Sequence, residues 1–360
     1  MLRFTDYFTL LKFCIISINW LVFSFGGTMK DRILGQSGTK ISALGIGAMS
    51  FSDFYGKSST EISHSILSAS LDLDINHIDT ADIYGMGSSE ERIGSFLKRN
   101  PSAKNIFKIA SKGSITKSSD GKTFFDNSKK YLESALEASL KRLGVENLEL
   151  YYVHRRDTSI PIEEVTETLS GFVKQGKINQ FGYSEIAPTS LERANKIHPV
   201  GAVQSEYSLS TRYPELGLLQ KTKSLKTSFV AFSPVGRSLL TDKPHTEEKV
   251  KEMQFLQQNP RFIEPNLSKN IEATHAFRTL ASDWGLTAGG LAIAWLLNKD
   301  SHILPIPGTR SVQYLKDMAR ACEKNFSENE MKEIESVLPL GWAFGDRYSV
   351  NQWVGPEKYC

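Results

Sequence analysis

Leu148-Glu149-Leu150-Tyr151-Tyr152-Val153-His154 is an apolar, aromatic run that ends on a histidine. Two other stretches repeat the design. Ile78-Asp79 closes the run at 75–79 and leads into Thr80-Ala81-Asp82-Ile83-Tyr84, and Ile109-Ala110-Ser111-Lys112 ends on a lysine. Short runs of β-branched and aromatic residues read as buried strands. Polar residues at the ends of successive strands converge only where those strands run parallel, in one sheet or barrel. Outward from these three, at 148–153, 75–79 and 106–111, the strand pattern recurs at 44–47, 178–183, 200–204, 228–232 and 303–306, eight strands in all. Helical periodicity lies between them. It is clearest at 127–143, where Leu132, Leu136, Leu140 and Leu143 share one face, with Lys129, Glu133, Glu137 and Lys141 away from it and Gly144 as the stop. Ser88 and Ser89 before Glu90 and Glu91 predict an N-cap with acids in the first turn of a helix over 89–98.

Eight strands each followed by a helix predict an α/β fold, a (β/α)8 TIM barrel, with its site at the carboxyl ends of the strands. Residues 32–42 predict an N-terminal β-hairpin turning at Gly35-Gln36-Ser37-Gly38. A long loop after strand seven, 236–269, is rich in Lys, Glu, Gln and Pro and predicts an irregular, mobile lid. Residues 29–360 form one domain in this reading. The first 28 residues form an apolar extension, dense from Phe8 to Phe25 and broken by Lys12 and Asn19. Three readings stand for it: an upstream start with the functional chain beginning at Met29, a membrane anchor near the lower limit of about 18 apolar residues, or a secretory signal. Membrane contact is expected only through this segment, and the barrel is expected to be cytoplasmic.

A net charge of +3 gives no basic field, so nucleic acid is not an expected partner. Three scattered cysteines point to a reducing compartment. No HExxH, CxxC or EF-hand spacing occurs, and no metal is expected. Gly45-Ile46-Gly47 lacks the third glycine of a dinucleotide fingerprint, and no tyrosine has a lysine four positions later. Rossmann and short-chain dehydrogenase architectures are therefore disfavoured. His154-Arg155-Arg156-Asp157 lacks the rest of a kinase signature.

Asp79, Tyr84, Lys112 and His154 have the residue types of a proton-donating device. A phenol near pKa 10 is a poor acid; an adjacent ammonium, fixed by a carboxylate, favours its ionised form. Lowering it by about two units corresponds to roughly 2.7 kcal/mol. His154 can orient a carbonyl oxygen. Each residue has a plain alternative: Asp79 as a helix cap, Lys112 as a solvated loop lysine, Tyr84 as a packing aromatic, His154 as a satisfied core histidine. Four such coincidences at matching strand ends make the joint alternative weak.

Asp79-Thr80-Ala81-Asp82-Ile83-Tyr84-Gly85, Ala110-Ser111-Lys112-Gly113, Tyr152-Val153-His154-Arg155, Gln204-Ser205-Glu206-Tyr207, Phe232-Ser233-Pro234-Val235-Gly236-Arg237 and Pro305-Ile306-Pro307-Gly308-Thr309-Arg310 resemble, in order, the motifs of aldo-keto reductases. The resemblance spans 31–348. The strand end His154-Arg155-Arg156-Asp157 and Pro161-Ile162-Glu163-Glu164 resemble the branch that reduces pyridoxal and aryl aldehydes. It implies an NADPH-dependent oxidoreductase acting on a small carbonyl substrate, with Tyr84 as general acid, Lys112 and Asp79 tuning it and His154 orienting the carbonyl. It further implies that Ser184, Glu185 and Gln204 hold the cofactor carboxamide and that Tyr207 stacks on the nicotinamide. Ser233, Pro234, Val235, Gly236 and Arg237 would meet the pyrophosphate, and Gly308, Thr309 and Arg310 the 2′-phosphate. Gln313 and Asp317 complete the set at the adenosine end. Two positions depart from the pattern: Glu185 stands where many relatives carry Asn or Ala, and Met318 follows Asp317 where an adenine-reading Asn is common. A second function follows from the same resemblance, a cofactor-binding regulatory subunit like the potassium-channel β subunits. The intact tetrad favours the enzyme. Oligomeric state is not set by any of these features.

Overall fold

The computed structural model describes residues 29–118 and 121–358; the apolar segment 1–28 lies outside the described residues. A hairpin of β1 (Asp31–Leu34) and β2 (Thr39–Ser42) precedes β3 (Gly45–Gly47), β4 (His77–Asp79) and β5 (Lys108–Gly113). A second small hairpin, β6 (Ile115–Lys117) and β7 (Thr123–Phe125), follows. The remaining strands are β8 (Leu148–Val153), β9 (Ile178–Ser184), β10 (Ala202–Glu206), β11 (Ser228–Phe232) and β12 (Ile303–Pro305). The eight-stranded sheet runs β12-β11-β10-β9-β8-β5-β4-β3, and every pairing in it is parallel. Gly47 N–H donates to Pro307 O at 2.9 Å and brings the last strand round to the first. This is the expected barrel.

Alternation along each strand sorts the core into two layers. Leu150, Tyr152, Ala202, Val230 and Leu304 point into the barrel, where Leu34 and Ile41 of the hairpin join them and plug one end. Tyr151, Val153, Phe181, Val203 and Phe229 point out and meet helix residues such as Leu132, Leu136 and Trp295. Each fully buried side chain of this size stabilises the fold by about 1.5–3 kcal/mol. Gly182 makes room for the inner layer, since a Cβ there would lie 2.7 Å from the Tyr152 ring. The expected leucine helix is Lys129–Leu143; Ser128 caps it, accepting from Tyr131 N–H, and Gly144 ends it at φ 65°.

Four expectations are corrected. Helix Ser88–Arg99 starts after Gly87 with no capping side chain. Ser89 is instead buried, donating to Ala48 O, and Glu90 is buried too, accepting from Ser111 Oγ at 2.5 Å and Arg142 Nε at 2.6 Å. The third barrel strand runs Lys108–Gly113, because 103–106 closes a short helix. The sixth ends at Glu206, two residues past the expected 204. The excursion 236–269 is not irregular: it holds helices Glu247–Lys251 and Gln254–Gln257 and the start of Asn266–Ala273. Leu239, Val250, Met253, Leu256, Phe262 and Leu267 form a small core of their own there. Its polar composition hid these sparse apolar anchors. Among the described residues no single helix is long and apolar enough to cross a membrane.

Candidate active site

Asp79 ends β4, Lys112 lies near the end of β5, and His154 follows β8, so neighbouring parallel strands deliver all three to one rim. Tyr84 comes from the turn after β4. That turn is pinned by Thr80 N–H to Ala110 O at 2.9 Å and Asp82 N–H to Lys112 O at 3.1 Å. Lys112 is fully buried. Its Nζ pairs with Asp79 Oδ1, donates to Thr80 O at 2.8 Å and reaches Tyr84 Oη at 3.5 Å. Gln204 Nε2 donates to Asp79 Oδ2 at 2.8 Å, so the carboxylate is held from both sides. The Tyr84 and His154 rings stand edge to face, centroids 5.8 Å apart. The structure thus brings the four residues together.

Burial lowers the Lys112 ammonium, but Asp79 and then Tyr84 outweigh it and hold the group above its ordinary pKa. The phenol of Tyr84 is moved up, not down as expected. Burial is the largest cause, and Asp79 adds to it against Lys112. A carboxylate that neutralises the lysine also removes much of its pull on the phenol. Burial, then Arg155 and Lys112, push the His154 imidazole well below its usual range, so it is neutral near pH 7. Its Nδ1 is buried without a hydrogen-bond partner.

The residues assigned to a cofactor fare unequally. Ser184 is buried at the end of β9, and its Oγ accepts from Arg155 Nη1 at 3.1 Å. Gln204 points inward, engaged with Asp79. Glu185 adopts φ 57°. Its carboxylate is taken up by both Nη atoms of Arg347 and by Glu206 N–H at 2.8 Å, which leaves it facing the C-terminal tail. Tyr207 is placed away from the mouth. Ala202, Gln204 and Glu206 occupy the inward positions of β10, so Tyr207 falls on the outer face against Phe229 and Trp295, its hydroxyl donating to Glu215 at 2.8 Å. The aromatic ring that faces the interior at this level is Phe232, which packs against the barrel's inner cluster and is only partly buried.

Ser233, Pro234, Val235, Gly236 and Arg237 form a tight loop with positive φ at Ser233 (49°), Gly236 (59°) and Arg237 (52°). The Arg237 side chain turns inward and pairs with Glu206 at 2.6 Å. Gly308 and Thr309 lie beside the β3 loop, Ser50 Oγ donating to Thr309 O at 3.2 Å. Arg310 Nη1 donates to Gly56 O at 2.8 Å and Lys57 O at 2.9 Å. Gln313 Nε2 donates to Asp317 Oδ1 at 2.9 Å on an exposed helix face. No group of three metal-ligating side chains occurs among the described residues.

Sequence reasoning missed Glu206, Arg347, Phe232 and Glu357. Glu206 is buried; burial raises its carboxyl, but Arg237, Arg347 and Arg261 outweigh this and hold it low. Glu357 Oε2 accepts from Ala187 N–H at 2.8 Å, tying the tail over the end of β9. Period-two alternation could have found Glu206 and Phe232; the tail residues carry no local signal.

Residues 43–339 match the aldo/keto reductase family. The chain is 35% identical to the aldo-keto reductase yakc [NADP(+)] of Schizosaccharomyces pombe, over 86% of this chain and 92% of that protein. It is 36% identical to the probable aldo-keto reductase 1 of Glycine max, over 88% and 90%. Among solved structures, the glycerol dehydrogenase AKR11B4 of Gluconobacter oxydans superposes with TM-score 0.75 at 24% identity, covering 86% of this chain and 94% of that one. The aldo-keto reductase AKR11C1 of Bacillus halodurans, in a holo form, gives 0.72 at 24%, over 90% and 99%. These two share the barrel.

Proposed function

Because the chain belongs to the aldo/keto reductase family and is an oxidoreductase of that family, we propose that it reduces an aldehyde or ketone to the alcohol with NADPH, Tyr84 giving the proton. One observation carries the reading: a fully buried lysine held by Asp79 on one side and directed at the Tyr84 hydroxyl on the other. A buried ammonium this constrained has little structural use, since an ion pair in the interior rarely improves stability over apolar packing.

The mouth fits a nicotinamide dinucleotide. Arg310 holds only backbone carbonyls, leaving its charge for a phosphate. Phe232 offers a partly buried ring at the inner end, and Ser184 and Gln204 offer buried polar groups beside it. When bound, the reduced nicotinamide supplies a hydride to the carbonyl carbon. The chain's own residues act on the oxygen. Tyr84 stays protonated at neutral pH because burial holds its pKa above 10. Its Oη–H donates to the carbonyl oxygen and transfers the proton as negative charge grows there. The phenolate left behind lies against Lys112 Nζ, whose charge is kept by Asp79 and, through it, Gln204. Neutral His154 orients the same oxygen with its ring N–H.

The full chain with NADPH and an aromatic aldehyde should oxidise the cofactor with stoichiometric alcohol formation, followed by absorbance and product analysis. Cofactor binding with no turnover across a broad panel of aldehydes and ketones contradicts the proposal and favours a cofactor-binding regulatory subunit.

A further inference from the structure

The rim of the barrel is crowded with guanidinium groups, and most have a carboxylate partner within the protein. Arg237 pairs with Glu206 at 2.6 Å, and Arg261 lies 3.9 Å from the same carboxylate. Arg347 pairs with Glu185, and Arg156 with Glu357 at 3.5 Å. Among the described residues, Arg155 and Arg310 have no ion-pair partner. They stand at different places: Arg310 follows β12 and lies against the loop after β3, and Arg155 is next to His154 in the chain. Arg155 Nη1 donates to His154 O at 2.7 Å and Ser184 Oγ at 3.1 Å, both neutral acceptors. Its backbone N–H is anchored to Ser114 Oγ at 2.9 Å, and Asn127 Nδ2 fixes its carbonyl at 3.0 Å. An arginine held in place at both backbone groups, with its charge uncompensated, stands beside the carbonyl-orienting histidine. Its field reaches both Tyr84 and His154.

Apolar side chains are also exposed on the loops after β4 and β5 and on the C-terminal tail. Met86 is 73% exposed in the loop after β4, Phe124 43% in the hairpin after β5, and Val354 64% in the tail, where the next residue, Gly355, lies against Phe125 and Arg155. Taken with the proposed carbonyl reduction, on which this inference rests, we infer that the site selects carbonyl compounds bearing an anionic group, with Arg155 as the residue that binds that group. The exposed apolar side chains can accept the body of such a substrate, and the planar guanidinium fork matches a carboxylate bidentately. The polar contacts to His154 O and Ser184 Oγ hold the fork ready and leave its formal charge unneutralised.

The test is steady-state reduction of 4-carboxybenzaldehyde and of its methyl ester by the full chain with NADPH. The two differ in charge and little in shape. The wild type should favour the acid in kcat/KM by about tenfold or more, as expected for a charge-assisted contact at a partly exposed site. High salt should shrink that preference by raising KM for the acid alone. Arg155→Met should bring the acid-to-ester ratio close to one, and Arg155→Lys should keep part of it. No preference in the wild type overturns the inference without any variant. So does an Arg155→Met enzyme that keeps the ratio, or one whose KM for NADPH rises equally with both substrates, which assigns Arg155 to the cofactor. Turnover of the ester by the wild type reads the carbonyl reduction separately from the selectivity.

Discussion

Two buried charge clusters sit on the same rim, and they are built in opposite ways. In the first, Lys112 is shared among Asp79, Thr80 O and Tyr84, and the phenol is its loosest partner at 3.5 Å. In the second, Glu185 and Glu206 are enclosed by Arg237, Arg347, Arg261, Thr211 Oγ1 and the backbone N–H of Glu206. The second pairs both of its carboxylates within the protein and ties the C-terminal tail to β9 and β10. The first keeps one contact that can strengthen when a phenolate forms. The difference separates a cluster that holds the rim together from one poised to respond to chemistry.

Mutation of each cluster should show that division. The largest expected effect is Lys112→Met: turnover falls by about 100- to 10,000-fold, and cofactor still binds, measured by fluorescence quenching. Next comes Arg347→Met. It leaves Glu185 buried without its cation and costs about 3–5 kcal/mol in chemical denaturation, while the enzyme that remains folded loses far less turnover than the Lys112 variant. Equal losses of turnover in the two would erase the distinction. A smaller effect sharpens the first cluster by pH. His154 is depressed from 6.5 and Tyr84 raised from 10, so kcat/KM for reduction should be flat between pH 6.5 and 10; a fall centred near pH 8 would mean a depressed phenol.

The smallest concerns Asp82, beside the first cluster. Burial, then Glu90, raise its carboxyl to about 7, and Oδ1 has no partner. Its folded pKa exceeds the ordinary 3.8, so the folded state binds the extra proton and stability drops as pH rises from about 4 through 7, then levels off. Asp82→Asn should flatten the dependence of Tm on pH between 5 and 8 and raise Tm at pH 8. An unchanged slope would assign that dependence to other groups.

The two clusters also differ in how far they could be read beforehand. Asp79, Lys112 and His154 were legible because each closes a local apolar run, and parallel strands carry run ends to one place. The hairpin over 32–42 was legible from its turn residues. Tyr207 was misassigned because motif likeness was followed where alternation rules: once Gln204 faces inward, Tyr207 three residues on faces outward and Phe232 on the next strand takes the interior position. The Glu185–Arg347 pair joins residues 162 positions apart, and nothing in the tail announces it. The direction of the Tyr84 shift was hidden as well, since it depends on burial set against two opposite charges. The 236–269 excursion looked mobile from its composition, and only assembly gathers its few apolar residues into a core.

The most direct test of the account is Tyr84→Phe in the full chain. The ring is kept and only the hydroxyl beside Lys112 Nζ is lost. The variant should bind NADPH with near wild-type affinity and lose about 1,000-fold or more of its aldehyde turnover. Full turnover in that variant would contradict the assignment of Tyr84 as the proton donor and, with it, the role given to the buried lysine.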